Sequence, residues 1–99
     1  MAELTIKTIT AENTWTDTTK IGAGYFSLSI QGLTDSTVTV QKTYDRVSVS
    51  TWYDVDTFTA NSEEIGFEPE DVYYRVGVKT GQYGTDTITV RLGSSDLPQ

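Results

Sequence analysis

The residues of this chain that could do chemistry are mainly carboxylates. They gather between positions 54 and 71, as Asp54, Asp56, Glu63, Glu64, Glu68, Glu70 and Asp71. Paired carboxylic acids can hydrolyse glycosides, and clustered carboxylates can hold calcium. This stretch lacks the alternating Asp/Asn ligands, central Gly and terminal Glu of a calcium loop. A chain of 99 residues also leaves little room for a substrate cleft. We therefore predict solvated surface charge, with no metal, no cofactor and no catalytic residue.

The chain contains no histidine and no cysteine. Histidine is the commonest general base and transition-metal ligand, and cysteine supplies thiolate nucleophiles and zinc ligands. Two glycine-rich stretches, 22–24 and 81–84, lack the lysine and the following helix of a phosphate-binding loop. These absences predict that the protein is not an enzyme.

The net charge is −7, and the isoelectric point is near 4.2. Such a chain repels phosphate backbones and anionic lipid surfaces, so we expect no nucleic-acid or membrane partner. The first seven residues lack the apolar segment of a signal peptide, and no apolar run approaches the ~20 residues of a membrane span. The expectation is a soluble protein that is synthesised in a cytoplasm.

The elements that must position these side chains are predicted to be strands. The clearest strand pattern lies between Asp71 and Leu92. Apolar residues there alternate with polar ones, as Val72, Tyr74, Val76 and Val78, and then as Ile88, Val90 and Leu92. Alternation with a period of two is typical of a half-buried strand. Gly81 and Gly84 can adopt positive φ, which predicts that the two strands form one hairpin.

Further strands are predicted at residues 3–10, 26–31, 37–43, 50–59 and 64–68. In the first of these, Leu4 and Ile6 share one parity and Ile9 has the other, which predicts a bulge or a switch between sheets near residues 7–8. In the strand at residues 50–59, Trp52 and Phe58 share one parity and Tyr53 and Val55 have the other, which predicts a bulge near residues 54–56. Residues 11–24 are predicted to be a loop, with a short extended piece around Trp15.

Seven short strands separated by turn signals predict one antiparallel β-sandwich domain over residues 1–99. Residues 1–10 would form an amino-terminal strand or arm, and residues 94–99 a flexible tail. The pattern Glu70-x-Val72-x-Tyr74-x-Val76 is similar to the entry into the sixth immunoglobulin strand, with Tyr74 as a tyrosine corner. The predicted class is therefore an all-β, immunoglobulin-like sandwich, with a jelly roll or a small barrel as the alternative.

The cations supply a candidate binding surface. In the predicted hairpin, Tyr73, Arg75, Lys79 and Arg91 share one outer face beside the Thr-rich strand 37–43. Arg and Tyr are enriched in protein interfaces, so we predict that this face binds a partner. The alternative is that each Arg pairs with a carboxylate of the same chain.

Trp15 is the remaining candidate for a binding residue, because it stands among hydroxyl and amide side chains. Such a tryptophan either packs as a satellite of the core at the end of the sandwich, which we expect, or stacks against a ligand. A carbohydrate-binding module would use Trp15, Tyr73 and Tyr83 as a stacking platform.

A longer pattern runs through residues 25–92. Its segments are Thr37-Val38-Thr39-Val40-Gln41-Lys42-Thr43-Tyr44-Asp45, Thr51-Trp52-Tyr53-Asp54-Val55, Phe58-Thr59-Ala60-Asn61, Tyr74-Arg75-Val76-Gly77 and Thr87-Ile88-Thr89-Val90-Arg91-Leu92. The pattern resembles small structural proteins of tailed bacteriophage particles. Those proteins carry a short Gly-containing turn between the Asp and the Trp, where this chain has Arg46-Val47-Ser48-Val49-Ser50.

The resemblance implies a virion component and supplies no active-site residues. The expected function is non-enzymatic: capsid decoration (a cement protein), or a fitting in the neck or tail. Its partners would be other virion proteins, and a homo-oligomer is also expected. The alternative function is a carbohydrate-binding or adhesion module.

Overall fold

The computed structural model describes residues 4–21, 23–44 and 51–94, and these residues form nine strands and no helix. Residues 1–3 of the predicted amino-terminal strand or arm (1–10), the apolar connection 46–50 and residues 95–99 of the predicted tail (94–99) lie outside the described residues. Ser94, the first residue of that predicted tail, belongs to a strand. The strands are β1 (Leu4–Ile9), β2 (Thr14–Trp15), β3 (Thr19–Ile21), β4 (Gly24–Gln31), β5 (Val38–Thr43), β6 (Tyr53–Phe58), β7 (Ser62–Glu68), β8 (Val72–Val78) and β9 (Ile88–Ser94).

The strands form two antiparallel sheets that pack face to face, which confirms the predicted all-β sandwich. The first sheet has the order β1-β9-β4-β7, and the second has β2-β8-β5-β6. Strand β3 also pairs with β8, at the end of β8 opposite to β2. Strands β2 and β3 therefore act as one interrupted edge strand beside β8.

The pairing is nested along the chain. With β2 and β3 counted as one strand, β1 pairs with β9, β2/β3 with β8, β4 with β7, and β5 with β6. A long antiparallel hairpin that is rolled up gives this order, which is that of a jelly roll. Within the sandwich class, the alternative architecture is therefore the one observed. An immunoglobulin sandwich would place its last two strands side by side in one sheet.

The predicted hairpin between residues 72 and 92 is wrong. Strand β8 lies in the second sheet, and β9 lies in the first sheet between β1 and β4. The alternation itself is confirmed, because Val76 and Val90 are both fully buried. Alternation identifies the buried face of a strand but not its neighbour, and both sheets turn that face to the same core.

The core contains alternate residues of both sheets. It consists of Ile9, Ile21, Leu28, Ile30, Leu33, Val38, Val40, Val72, Tyr74, Val76, Val78, Ile88, Val90 and Leu92. Ile21 belongs to β3, which the sequence analysis treated as part of a loop. The predicted bulge in β1 is wrong, because its register with β9 is continuous from Leu4 to Ile9. Only Ile9 faces the core, and Leu4 and Ile6 face outwards.

Two further local predictions have clear outcomes. The register between β5 and β6 shifts between Val40 and Gln41, which face Asp56 and Asp54, so the predicted bulge in β6 is confirmed. Tyr74 is not a tyrosine corner, because its hydroxyl donates to the side chain of Glu68 at 2.5 Å, whereas a tyrosine corner donates to the backbone.

Asp86 joins the two connections at one end of the sandwich. Its Oδ2 atom accepts hydrogen bonds from the backbone N–H groups of Thr34 at 2.8 Å, Asp35 at 3.0 Å and Ser36 at 3.2 Å. Its Oδ1 atom accepts one from the Thr34 hydroxyl. Asp35 in turn accepts a hydrogen bond from the backbone N–H of Thr85 at 2.9 Å. The β4–β5 and β8–β9 connections therefore hold each other in place.

We expect Val76→Asp to prevent folding. An unpaired carboxylate in the core costs several kcal/mol, which approaches the total ~5–15 kcal/mol that holds a domain together. The matched control is Val55→Asp, because Val55 is 45% exposed on the edge strand β6. Circular dichroism and thermal melting measure both variants. A Val76→Asp protein that melted at the wild-type temperature would contradict the assigned core.

We also expect acid to weaken the fold through Asp86. The hydrogen bond from the Thr34 hydroxyl, with those from the backbone of Thr34 and Asp35, holds the pKa of Asp86 well below its usual value. A lowered pKa stabilises the fold above about pH 4, and this stabilisation is lost as the pH falls. Urea titrations at several pH values should therefore show a weaker acid dependence in Asp86→Asn than in wild type. An exposed control, Asp17→Asn, should keep the wild-type dependence, and equal slopes in all three proteins would contradict this role.

Candidate partner-binding surfaces

The outer face of the second sheet carries four of the five predicted binding residues. Tyr73, Arg75 and Lys79 lie on the outward side of β8 and its continuation, and Trp15 of β2 lies opposite Gly77. Arg91 is not among them. It lies on β9, on the outer face of the other sheet, so the predicted cluster that joined Arg75 with Arg91 is wrong.

Arg75 is held between two tryptophans. Its guanidinium carbon lies 4.1 Å from the centroid of the Trp15 ring and 4.4 Å from that of Trp52. A planar guanidinium stacks well on aromatic rings, and the attraction grows as water is excluded. The sequence analysis expected Trp15 to pack at the end of the core, but it lies half-buried on the outer face of the sheet. Only the fold brings Trp52 to the same arginine.

A line of hydrogen bonds continues from Arg75 across the sheet. The Arg75 Nε–H donates to Gln41 Oε1 at 2.8 Å, and Gln41 Nε2 donates to Asp54 Oδ1 at 2.8 Å. Lys79 Nζ donates to the other oxygen of Asp54 at 2.6 Å. The hydrogen bonds from Lys79 and Gln41 lower the pKa of Asp54, so its carboxylate is charged at neutral pH. Arg75 and Lys79 are thus engaged within the chain. The alternative prediction, that each Arg pairs with a carboxylate, is not what the described residues show, because Arg75 binds Gln41 and only Lys79 binds a carboxylate.

Gly77 makes this arrangement possible. A Cβ atom at position 77 would lie 2.2 Å from the carbonyl oxygen of Thr14 and 2.8 Å from Cδ2 of Trp15. Thr16 then fixes the strand, since its hydroxyl accepts from the backbone N–H of Val76 at 3.0 Å and its own N–H donates to the Val76 carbonyl at 2.9 Å. The Trp15 ring is therefore placed by its backbone as well as by Arg75.

The stacking platform that a carbohydrate-binding module would need is not assembled on this face. Tyr83 packs against the hydrophobic core, and its hydroxyl donates to the carbonyl oxygen of Asp86. Trp15 and Tyr73 do share the outer face of the second sheet, but the Trp15 ring is in contact with Arg75.

The outer face of the first sheet is a surface that the sequence analysis missed. Large apolar side chains are exposed there, at 56% for Leu4, 59% for Ile6, 56% for Tyr25, 80% for Ile65 and 54% for Phe67. The rings of Tyr25 and Phe67 lie 5.0 Å apart. The signal was the parity of Leu4 and Ile6, which differs from that of Ile9 because these two residues face away from the core.

The charged side chains described on this outer face are Arg91 of β9 and Glu63 of β7. Glu63 accepts hydrogen bonds from Ser29 at 2.5 Å and Gln31 at 2.9 Å. These bonds, with a smaller contribution from the charge of Arg91, lower the pKa of Glu63. Among the described residues, no ion pair joins Arg91 to a carboxylate of its own chain.

The remaining carboxylates are spread over the molecule. Glu68 is buried, and its carboxylate accepts hydrogen bonds from the Tyr74 hydroxyl and from Lys42 Nζ at 3.2 Å. Burial of the Tyr74 hydroxyl and, to a smaller extent, its hydrogen bond to Glu68 raise the pKa of Tyr74. Asp56 and Glu64 line a cavity of about 140 Å³ between the edge strands β6 and β7. In the described part of the chain, no three acidic, histidine or cysteine residues come together as a metal site.

No family model matches the chain, and no similar chain was found among curated proteins or solved structures. Over the described residues, no helix is long and apolar enough to cross a membrane.

The contact between Arg75 and the two tryptophans predicts a specific loss of stability. Arg75→Lys keeps the charge but removes the planar stack, and we expect it to lower the free energy of unfolding by about 1–2 kcal/mol. The chain has two tryptophans, and both contact Arg75, so their fluorescence should also change. The control is Arg91→Lys on the other sheet, for which we expect less than about 0.5 kcal/mol. Equal losses in urea unfolding would contradict the stacking role.

Proposed function

We propose that this protein is a non-enzymatic structural component of a tailed-bacteriophage particle and acts through protein–protein contacts. Its place would be capsid decoration, as a cement protein, or a fitting in the neck or tail. The observation that carries the contact function is the concentration of exposed apolar side chains on one face of the first sheet.

Exposed apolar residues that are scattered singly are common, but several large apolar side chains on one face of a sheet indicate an interaction site. Leu4 and Ile6 lie on one edge strand of this sheet, and Ile65 and Phe67 lie on the other edge strand. Tyr25 joins the patch next to Phe67. Aromatic and aliphatic side chains around one Arg are the composition that the centre of a protein interface favours.

The rigidity of the sandwich also supports a binding role. The outer face of the second sheet is fixed by the stack on Arg75 and the hydrogen bonds that follow it. The end of the molecule is fixed by Asp86. A surface carried by such a frame loses little conformational freedom on binding, which favours affinity. The assignment to a phage particle rests on the sequence resemblance over residues 25–92.

The test is incorporation into particles during infection. Phe67→Ser should lower the occupancy of the protein in purified particles at least about tenfold, because it removes a large aromatic side chain from the apolar surface. The matched control is Tyr53→Ser, since Tyr53 is 51% exposed on the second sheet and Phe67 is 54% exposed on the first. Both variants are first checked for folding by circular dichroism.

Two results would contradict the proposal. One is absence of the wild-type protein from purified particles. The other is a folded Phe67→Ser protein that fills particles to the wild-type level. Binding of the wild-type protein to a glycan array, lost on Trp15→Ala and retained on Phe67→Ser, would favour the carbohydrate-binding alternative in its place.

A further inference from the structure

The register of the first sheet arranges its outward residues in rows across β1, β9, β4 and β7. One row is Leu4, Gly93, Ser27 and Ile65, and the next is Ile6, Arg91, Ser29 and Glu63. In both rows, the residue on β7 and the residue on β9 lie on either side of a serine on β4. The first pair is Ile65 and Gly93, and the second pair is Glu63 and Arg91.

Gly93 leaves a gap in its row of outward side chains, a shallow hollow flanked by the side chains of Leu4, Arg91 and Ser27. A Cβ atom there would make only ordinary contacts, the closest at 3.6 Å from Leu4 Cδ1. By contrast, a Cβ atom at Gly66 would lie 2.4 Å from the ring of Phe26. Glycine weakens a strand and a larger residue would fit at position 93, so a backbone without a side chain here suits close approach by another chain. Ile65, in the same row, is the most exposed of the large apolar side chains, at 80%.

We propose that two copies of this chain bind each other through the outer face of the first sheet, about a twofold axis that runs parallel to β4. Ile65 of each copy enters the hollow at Gly93 of the other, and Glu63 of each copy pairs with Arg91 of the other. This inference names the first partner for the apolar surface on which the proposed function rests.

One rotation satisfies both pairs. Strands β7 and β9 flank β4, so a half-turn about β4 places β7 of one copy over β9 of the other at the same height along the strands. Each row then meets itself in reverse order, as a self-complementary interface between identical subunits requires. Ser27 and Ser29 lie on the axis, where short side chains allow the two sheets to approach. Tyr25 also lies on the outward side of β4, so the Tyr25 side chains of the two copies meet at one end of the axis.

The charge of this face permits a second copy to bind there. The chain carries a net charge of −7, whereas the described outward residues of the first sheet carry one positive and one negative charge, on Arg91 and Glu63. Two copies therefore repel each other least when they approach through this face. The fork of Arg91 can also bind the carboxylate of Glu63 by two hydrogen bonds, which orients the two copies.

The area indicates a moderate affinity. Three facing strands spaced by ~4.8 Å, each with about six residues at ~3.3 Å, cover roughly 300 Å² of sheet per copy. Interfaces of this size belong to the small, transient class. We therefore expect a dissociation constant in the range from about 1 µM to about 1 mM.

Charge reversal tests the paired residues with purified protein. Sedimentation equilibrium of the wild-type chain from about 10 µM to about 1 mM should show a monomer–dimer equilibrium. Glu63→Arg and Arg91→Glu should each raise the dissociation constant at least about tenfold, because each homodimer then places like charges opposite each other twice. An equimolar mixture of the two variants should restore dimerisation, since both contacts of the mixed dimer join opposite charges. Dimerisation that is restored only when the two variants are mixed must depend on contacts between two chains.

A neighbouring residue supplies the matched control. Glu64 is adjacent to Glu63 but has the opposite orientation in β7, so Glu64→Arg makes the same change in net charge away from the proposed interface. It should leave the dissociation constant unchanged. Gly93→Val should fill the hollow and abolish the dimer while the chain stays folded, as judged by circular dichroism and thermal melting.

The outcomes separate this inference from the proposed function. A chain that stays monomeric at about 1 mM, or variants that fail to dimerise when mixed, would overturn the self-association. If Phe67→Ser were still excluded from phage particles in that case, the surface would bind another virion protein and the proposed function would stand. A wild-type dimer with a protein that never enters particles would overturn the proposed function alone.

Discussion

The capture of backbone N–H groups by the Asp86 carboxylate is the interaction on which the two-sheet arrangement depends. The chain changes sheet at six connections, and two of them, β4–β5 and β8–β9, meet at Asp86. Both crossings expose backbone N–H groups that no strand can satisfy, and buried groups of this kind must find a partner. Asp86 satisfies three of them in the first crossing from its position in the second. These hydrogen bonds therefore link the two connections at one end of the sandwich.

The two sheets use their outer faces differently, although their inner faces share one core. On the second sheet, Trp15 and Trp52 enclose Arg75, and Gln41 and Asp54 extend the contact across the strands. The charged and aromatic side chains named on that face therefore bind one another. The outer face of the first sheet has large apolar side chains in solvent and small residues between them. The outer face of the first sheet is therefore the surface that would gain most from burying apolar area in an interface.

The sequence predicted burial well and strand neighbours poorly. The alternation in residues 72–78 and 88–92 correctly identified Val76 and Val90 as core, because period two depends only on the local backbone. It could not show that β9 lies between β1 and β4, since the choice of neighbour depends on the crossing that Asp86 holds. Because β9 was predicted to pair with β8, Arg91 was wrongly predicted to share an outer face with Arg75. Nothing local marked Trp52 as a partner of Arg75, because the contact joins separate strands and loops.

Three of the four sheet edges, those at β6, β7 and β2/β3, are protected in a way that directs contacts to the faces. Free strand edges invite unlimited pairing with other chains, and proteins block them with charges, bulges and short strands. Here β6 carries a bulge with Asp54 and Asp56, and β7 carries Glu63 and Glu64. The edge beside β8 consists of two short pieces, β2 and β3. A component of an ordered assembly needs this combination, because a blocked edge prevents open-ended growth while an apolar face with one cation and one anion can bind in a single orientation.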